Sequence, residues 1–381
     1  MDVVTGEVDT IPRRAPLSTR ALRAAVAVAV AVAVFGFALP RFASAADVWH
    51  ALGHVGWRGA ALLAVAAGWN LVTYWLVWMA AVPGLGLRRA ALVSQAPTAV
   101  ANTVPAGSYV AVALTYSMLR SWGQRRSAAT LAMVVTGIWN NFAKLALPTV
   151  ALAALTIGDD VDFPRVVGAA VGLGGLVAAV GVFAAAMRTD AAASRVALIA
   201  ATAATPALRL VRRPAPSGWD VALRRFRTHA GALLAARWHL LTAATAVGQL
   251  SLFLVLLTSL RTAGVSAEEI GSAEALAVFA FARLATAVPF SPGGLGVVEL
   301  ALTTGLVAAG GGRAAVVAAV LVYRALTYLL QIPLGGLAYV LWRRTMRRAG
   351  ARPTDWEGAA VSAARGIGNS TGAAPSATGS S

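Results

Sequence analysis

Four ionisable side chains stand inside long apolar stretches: Lys144, Arg283, Glu299 and Arg324. Lys144 is the only lysine in the chain. On insertion scales a charge at the centre of a bilayer costs about 2.5–3.5 kcal/mol, so each of these groups needs a polar cavity or a partner. The chemistry they offer is recognition of an anion. A guanidinium presents a planar fork of donors that matches a phosphate, and Arg283 and Arg324 supply two such forks, with Glu299 to tune or gate them. A second reading uses the same residues differently. Arg283 and Glu299 flank a run of prolines and glycines, Pro289 to Gly296. A hairpin turning near Pro292 brings them together as an ion pair that pins it. Polar side chains gather around the same elements: Asn102, Asn140 and Asn141 one turn before Lys144, and Tyr323, Tyr328 and Gln331 around Arg324. The candidate substrate-binding set is therefore Arg283, Glu299, Arg324, Lys144, Asn102, Asn140 and Tyr328. The bland role for the asparagines is hydrogen bonding between helices.

Other chemistry is absent from the sequence. There are no cysteines, which excludes disulfides, thiolate catalysis and cysteine-held metals. His50 and His54 are one helical turn apart with Asp47 upstream, but no third strong ligand accompanies them, so no metal is assigned. No Ser-His-Asp set, phosphate-binding G-x-x-x-x-G-K-[ST] loop or dinucleotide fingerprint occurs. No catalytic residue and no cofactor are expected, and the chain is read as a non-enzyme.

The elements that must position these residues are membrane helices. Of 381 residues 58% are hydrophobic and 12% charged, with a mean hydropathy of +0.71; soluble domains carry about 25% charged residues. Apolar runs long enough for a bilayer recur from Leu22 to Trp342 without period-two alternation, so helices are expected rather than a barrel. The runs are Leu22–Leu39, 57–80, 90–119, 128–157, 166–187, 238–260, 275–309 and 314–341. The first has a signal-peptide look, with Ala43-Ser44-Ala45 after it, but is read as a retained helix because the topology needs it. Residues 1–19 and 346–381 are expected to be disordered, and a helix lying at the interface is possible over 191–211.

The net charge of +17 is carried by arginine groups between the apolar runs, at 13–23, 88–89, 120–126, 188–237 and 343–348. That is the positive-inside pattern. A nucleic-acid surface would need basic residues interleaved with aromatics on a soluble face, and nucleic acid is excluded as a partner. With both termini cytoplasmic, all five arginine groups fall inside, and Asp47, Asp159 to Asp162 and Glu268 to Glu274 fall outside. This holds only if 90–119 and 275–309 are re-entrant hairpins, broken at Pro105 and Gly107 and at Pro289, Pro292, Gly293, Gly294 and Gly296. The expected fold is thus an all-α polytopic membrane protein. It has about eight transmembrane elements, six spans plus two hairpins, in one domain over 20–345 with halves 20–160 and 161–345. The second half runs as the first inverted, which is a hallmark of transporters. At an offset of 187 residues Pro105 meets Pro292, Gly107 meets Gly294, Val110 meets Val297, Leu119 meets Leu306 and Gly123 meets Gly310. Paired Gly/Pro breaks point to a binding site between the halves, because the backbone groups they free must line a cavity or be buried in protein.

The stretch from Arg283 to Glu299, with its P-G-G-L-G-x-x-E run, resembles the lysylphosphatidylglycerol synthase transmembrane-domain family, also described as flippase-like. Tyr323-Arg324 through Tyr328 to Pro333 and Gly335-Gly336 fits the same family, as does, more loosely, Asn102-Thr103-Val104-Pro105 with Leu119-Arg120 and Gly123. The resemblance covers about residues 20–345. It implies an eight-segment module that moves lipids such as aminoacylated phosphatidylglycerol between leaflets. Family members that synthesise the lipid carry a large soluble C-terminal domain, where this chain has a short low-complexity tail, so synthesis is not expected. The function read from the sequence is a lipid translocase of the bacterial inner membrane, its partner a membrane phospholipid. A headgroup would enter between the hairpins and be held at its phosphate by Arg283 and Arg324. The alternative is a non-transporting scaffold or regulator of an envelope lipid or glycan synthesis enzyme, docked on the arginine-rich 188–237 region.

The absence of cysteine allows the topology to be tested directly. In intact cells Asp160→Cys should react with a membrane-impermeant maleimide from outside, and Arg125→Cys only after the membrane is opened. The reverse pattern would overturn the assignment.

Overall fold

The computed structural model describes residues 55–103, 107–158, 163–189, 219–286 and 295–348, with Gly53, Ala191 and Arg195 besides. Leu22–Leu39, most of 191–211 and the two histidines His50 and His54 lie outside them, as do Pro105, Pro289, Pro292, Gly293 and Gly294. All regular structure among the described residues is helical: α1 Trp57–Ala81, α2 Leu87–Thr103, α3 Gly107–Ser121, α4 Arg126–Gly158, α5 Phe163–Arg188, α6 Trp219–Thr262, α7 Ser272–Ala285, α8 Val297–Ala308, α9 Arg313–Arg324 and α10 Gln331–Arg348. A π-helical turn, Ala325–Leu329, joins α9 to α10 without a break. Five stretches are long and apolar enough to cross a bilayer: Trp57–Ala81, Arg126–Leu155, Ala170–Arg188, Leu233–Thr262 and Arg313–Arg348. In hydrocarbon a helix satisfies its own backbone, so these Ala-, Val- and Leu-rich segments have no competing conformation. The protein is a multi-pass membrane protein.

The four arms α2, α3, α7 and α8 are different. They have 17, 15, 14 and 12 residues, or about 18–26 Å at 1.5 Å per residue, less than the roughly 30 Å of a hydrocarbon core. The arms pack in pairs, α2 on α3 and α7 on α8. The first pair closes tightly. A Cβ on Gly107 would lie 2.3 Å from the Val100 carbonyl oxygen, so only glycine lets α3 begin against the end of α2.

The second arms end in the same way. Gly123 has φ +85° and Gly310 φ +108°. The Gly123 N–H donates to Arg120 O and the Gln124 N–H to Leu119 O; the Gly310 N–H donates to Val307 O and the Gly311 N–H to Leu306 O. Both are Schellman caps, in which a left-handed residue returns two amides to the last turn. Leu119 and Leu306, which receive the longer bond in each, are fully buried.

One boundary differs from the hydropathy reading. The span expected over 238–260 lies within Leu233–Thr262, but the helix that carries it begins at Trp219, and α6 is a single helix of 44 residues. Hydropathy marks where the lipid is, whereas a helix continues past the lipid while its own hydrogen bonds hold. Arg224, Arg225 and Arg227 therefore belong to a helix and not to a loop.

Two apolar cores sit at opposite ends of the bundle. One gathers α7, α8 and α9 with the ends of α4 and α6 and includes Phe279, Leu302, Leu306 and Val316. The other gathers α2, α3 and α10 with the opposite ends of α1, α4 and α6 and includes Val93, Met118, Leu119 and Trp342. α10 meets α2 without a spacer. A Cβ on Gly335 would fall 2.3 Å from the Gln95 carbonyl oxygen and 2.4 Å from Ala99 Cβ, whereas one on Gly336 meets nothing within 4 Å.

Gly335→Ala should therefore force the two helices apart and cost about 1–3 kcal/mol, as other overpacked contacts do. Gly336→Ala should be neutral or stabilising by up to about 1 kcal/mol through helix propensity. Thermal unfolding in detergent checks the pair, and equal midpoints would refute the close approach.

Candidate functional site

Between the two apolar cores the long helices turn polar at matching levels. On α1 the buried residues there are Asn70 and Thr73, between Ala66 of one core and Ala80 of the other. On α6 they are Thr245, Gln249 and Ser251. On α4 Thr136 and Asn140 occupy the corresponding stretch, and on the last span it holds Arg324, the π turn and Gln331. Polar groups so placed must find one another. Asn70 Nδ2 donates to Ser251 Oγ at 2.8 Å, and Thr73 Oγ1 lies 2.9 Å from the same hydroxyl. Gln249 Nε2 donates to Asn140 Oδ1 at 3.0 Å.

The charged members form a chain of contacts that reaches from the start of α8 to the end of α2. Glu299 stands at the third position of α8 and is fully buried. Its Oε2 accepts from the Gly296 N–H at 2.8 Å, closing the first turn of α8 on itself. Gly296 has φ +87°, which reserves that position for glycine. Glu299 Oε1 accepts from Arg324 Nε at 2.7 Å, in an ion pair whose side chains are 0% and 12% exposed. The Arg324 guanidinium carbon lies 4.7 Å from the ring centre of Tyr328, a cation–π contact. The Tyr328 hydroxyl donates to the Asn102 carbonyl at 2.6 Å. That carbonyl belongs to the last turn of α2. The π turn that starts at Ala325 carries Tyr328 one turn beyond Arg324, on to its hydroxyl partner; single π turns recur at functional sites.

Arg283 goes elsewhere. The ion pair of Arg283 with Glu299 expected from the hairpin is not formed, because one Glu299 oxygen is drawn back to Gly296 and the other faces α9. Arg283 instead lines an open cavity of about 400 Å³ walled by α1, α3, α4, α6 and α7. Tyr74, Thr115, Thr136, Asn140, Thr245 and Gln249 also contribute to its walls. Arg324 is not among its lining residues, so the two guanidiniums do not converge on it. Arg283 Nε, Thr245 Oγ1 and Gln249 Oε1 are buried there with no hydrogen-bond partner among the described residues. Lys144 lies on the Asn140 face of α4, one turn on, and is close enough to Arg283 for the two charges to repel. Of the sequence-derived set, the structure joins Glu299, Arg324, Tyr328 and the Asn102 backbone in one chain. It places Asn140 and Arg283 on the cavity, with Lys144 beside them. Tyr74, Thr245 and Gln249 were missed. The signal that marks them is weak: single polar residues in apolar helices, with Thr245 and Gln249 spaced four apart.

The model of the lysylphosphatidylglycerol synthase TM region matches residues 24–335. The chain belongs to that family. The matched region contains every residue of the contact chain and of the cavity. Among curated proteins none matches the chain. A lysylphosphatidylglycerol synthase TM region of this kind is flippase-like, and the arrangement that this member offers is a buried charged link between two broken helices, beside a polar cavity.

The link predicts strong coupling. Glu299→Gln and Arg324→Gln should each cost about 3–5 kcal/mol, because each strands a buried charge or its partner. The double variant should cost clearly less than the two together. Additive losses in thermal or denaturant unfolding would show that the pair is not coupled.

Proposed function

We propose that this protein is a lipid translocase that moves a phospholipid or related polar lipid between the leaflets of a bacterial inner membrane. The observation that carries the reading is the polar layer between two apolar cores, linked at both ends to helix breaks and holding a cavity. A soluble core has no need of such a layer. In a bilayer it gives a headgroup a polar path through hydrocarbon, and freed backbone at membrane depth is tolerated where it lines such a path.

The architecture of the reading is eight elements in an inverted repeat, with the hairpins entering from opposite sides and both termini cytoplasmic. Helix pairing supports it. Exchanging the halves turns the contact of α10 with α2 into that of α4 with α7, α2–α3 into α7–α8, and α3–α4 into α8–α9, and all six contacts occur. The Schellman caps at Gly123 and Gly310, 187 residues apart, support it from the local backbone. In this reading the contact from Asn102 through Arg324 to Gly296 ties the hairpins of the two halves together, and its remaking accompanies the passage of a headgroup. The protein does no covalent chemistry in the process.

The test is exchange of fluorescent phospholipids between leaflets of vesicles holding the purified protein. Wild type should accelerate exchange over empty vesicles. Glu299→Gln and Arg324→Gln should each lower the rate at least about tenfold, the effect of about 1.4 kcal/mol on a barrier. Folded wild-type protein that moves none of several lipid classes would refute the proposal.

A further inference from the structure

The cavity beside the contact chain has a charge that no described residue balances. Arg283 lines it, and Lys144, on the α4 helix that carries Asn140 of its wall, lies within electrostatic range of Arg283. Among the described residues neither has a carboxylate within ion-pair distance, and Glu299 is already taken by Arg324 and Gly296. The sequence narrows this further. No acidic residue occurs between Asp47 and Asp159, so α1, α3 and α4 have none. The one acid in α7, Glu274, is nine residues from Arg283 and holds the Gly271 N–H at 2.9 Å. The one acid in α6, Asp220, is 25 residues from Thr245. The stretches 104–106 and 287–294 contain none either.

A cation at membrane depth without a counterion is costly, and it is balanced by whatever anion the site admits. The neutral groups around Arg283 suit such a guest. The Thr245 hydroxyl is buried and unpartnered, and a hydroxyl can turn to donate to an anionic oxygen. At about 400 Å³ the cavity falls in the size class of small-molecule sites. Val77, Val112 and Met133 extend its wall as an apolar surface, which suits carbon attached to the anion.

We propose that this cavity binds the phosphate of an anionic headgroup that carries no amine, and that Arg283 with Lys144 selects it against zwitterionic and cationic headgroups. The proposal rests on the translocase reading for its identification of the cargo as a lipid. It departs from what the family's name suggests. A lysyl headgroup would bring ammonium groups to a site that already holds the Arg283 cation, with Lys144 in electrostatic range of it, and like charges away from water repel strongly.

The experiment uses the full chain in a neutral detergent and reads lipid-dependent shifts in thermal stability as apparent affinities. The probes are phosphatidylglycerol, phosphatidylcholine, lysylphosphatidylglycerol and inorganic phosphate. Phosphatidylglycerol should bind at least about tenfold more tightly than phosphatidylcholine, the scale of one charge-assisted contact, with the lysyl lipid weakest. Arg283→Gln should remove most of that preference, weakening phosphatidylglycerol more than phosphatidylcholine; Lys144→Met should reduce it. Competition by inorganic phosphate would identify the phosphate group itself as what is recognised, whereas its failure to compete would show that the lipid is needed; both agree with the proposal. Equal affinity of wild type for the anionic and zwitterionic lipids would overturn it, and that comparison needs no variant. The two readings fail separately. Exchange of both lipids in vesicles without selective binding leaves the translocase and removes the selectivity, while selective binding without exchange does the reverse.

Discussion

The carboxylate of Glu299 has no access to water, and both of its oxygens are taken: one by the backbone of its own helix, the other by a guanidinium from a helix 25 residues further on. In a membrane interior this kind of satisfaction is compulsory, because hydrocarbon offers polar groups nothing. The rest of the bundle follows from it. Arg324 must come to Glu299, so α9 must pack on α8. Tyr328 must follow Arg324, so the last span makes its π turn there. The hydroxyl of Tyr328 then meets the carbonyl that ends α2, which fixes the second half of the chain against the first. Gly335 permits the approach by letting α10 touch the backbone of α2.

Hydrophobic burial plays a different part here from its part in a soluble domain. Lipid tails are as apolar as leucine, so helix association draws on packing and on interhelical hydrogen bonds. The two cores supply the packing, each built around one pair of short arms. The layer between them supplies the hydrogen bonds through Asn70, Thr73, Ser251, Asn140 and Gln249. That division accounts for the site. Where packing is densest there is no room for a ligand; where side chains are polar and incompletely partnered there is a cavity, with Arg283 at its wall.

Much of the site can be read in the sequence because charge is so scarce. Arg283, Glu299 and Arg324 are conspicuous in apolar runs, and a polar environment for them follows from cost alone. Their partners do not follow. Glu299 and Arg283 flank the same break, and proximity along the chain favours their pairing. The pairing is decided instead by the direction in which the third residue of a helix points, back to its own N-terminus and outward to a neighbouring helix. Tyr74, Thr245 and Gln249 were illegible for a related reason. An isolated threonine or glutamine in a membrane helix is ordinary, and becomes part of a site only when helices distant in sequence set several of them around one space.

The sequence by itself determined that this is a membrane protein and marked the five described segments that are long and apolar enough to cross. Both depend on local composition read against the thickness of hydrocarbon. Only the tertiary structure decided that α6 runs 44 residues without interruption, that Arg324 and not Arg283 neutralises Glu299, and that five helices wall a cavity whose positive charge has no internal partner among the described residues. These are matters of distance between residues far apart in the chain, and such distances are set by how helices pack.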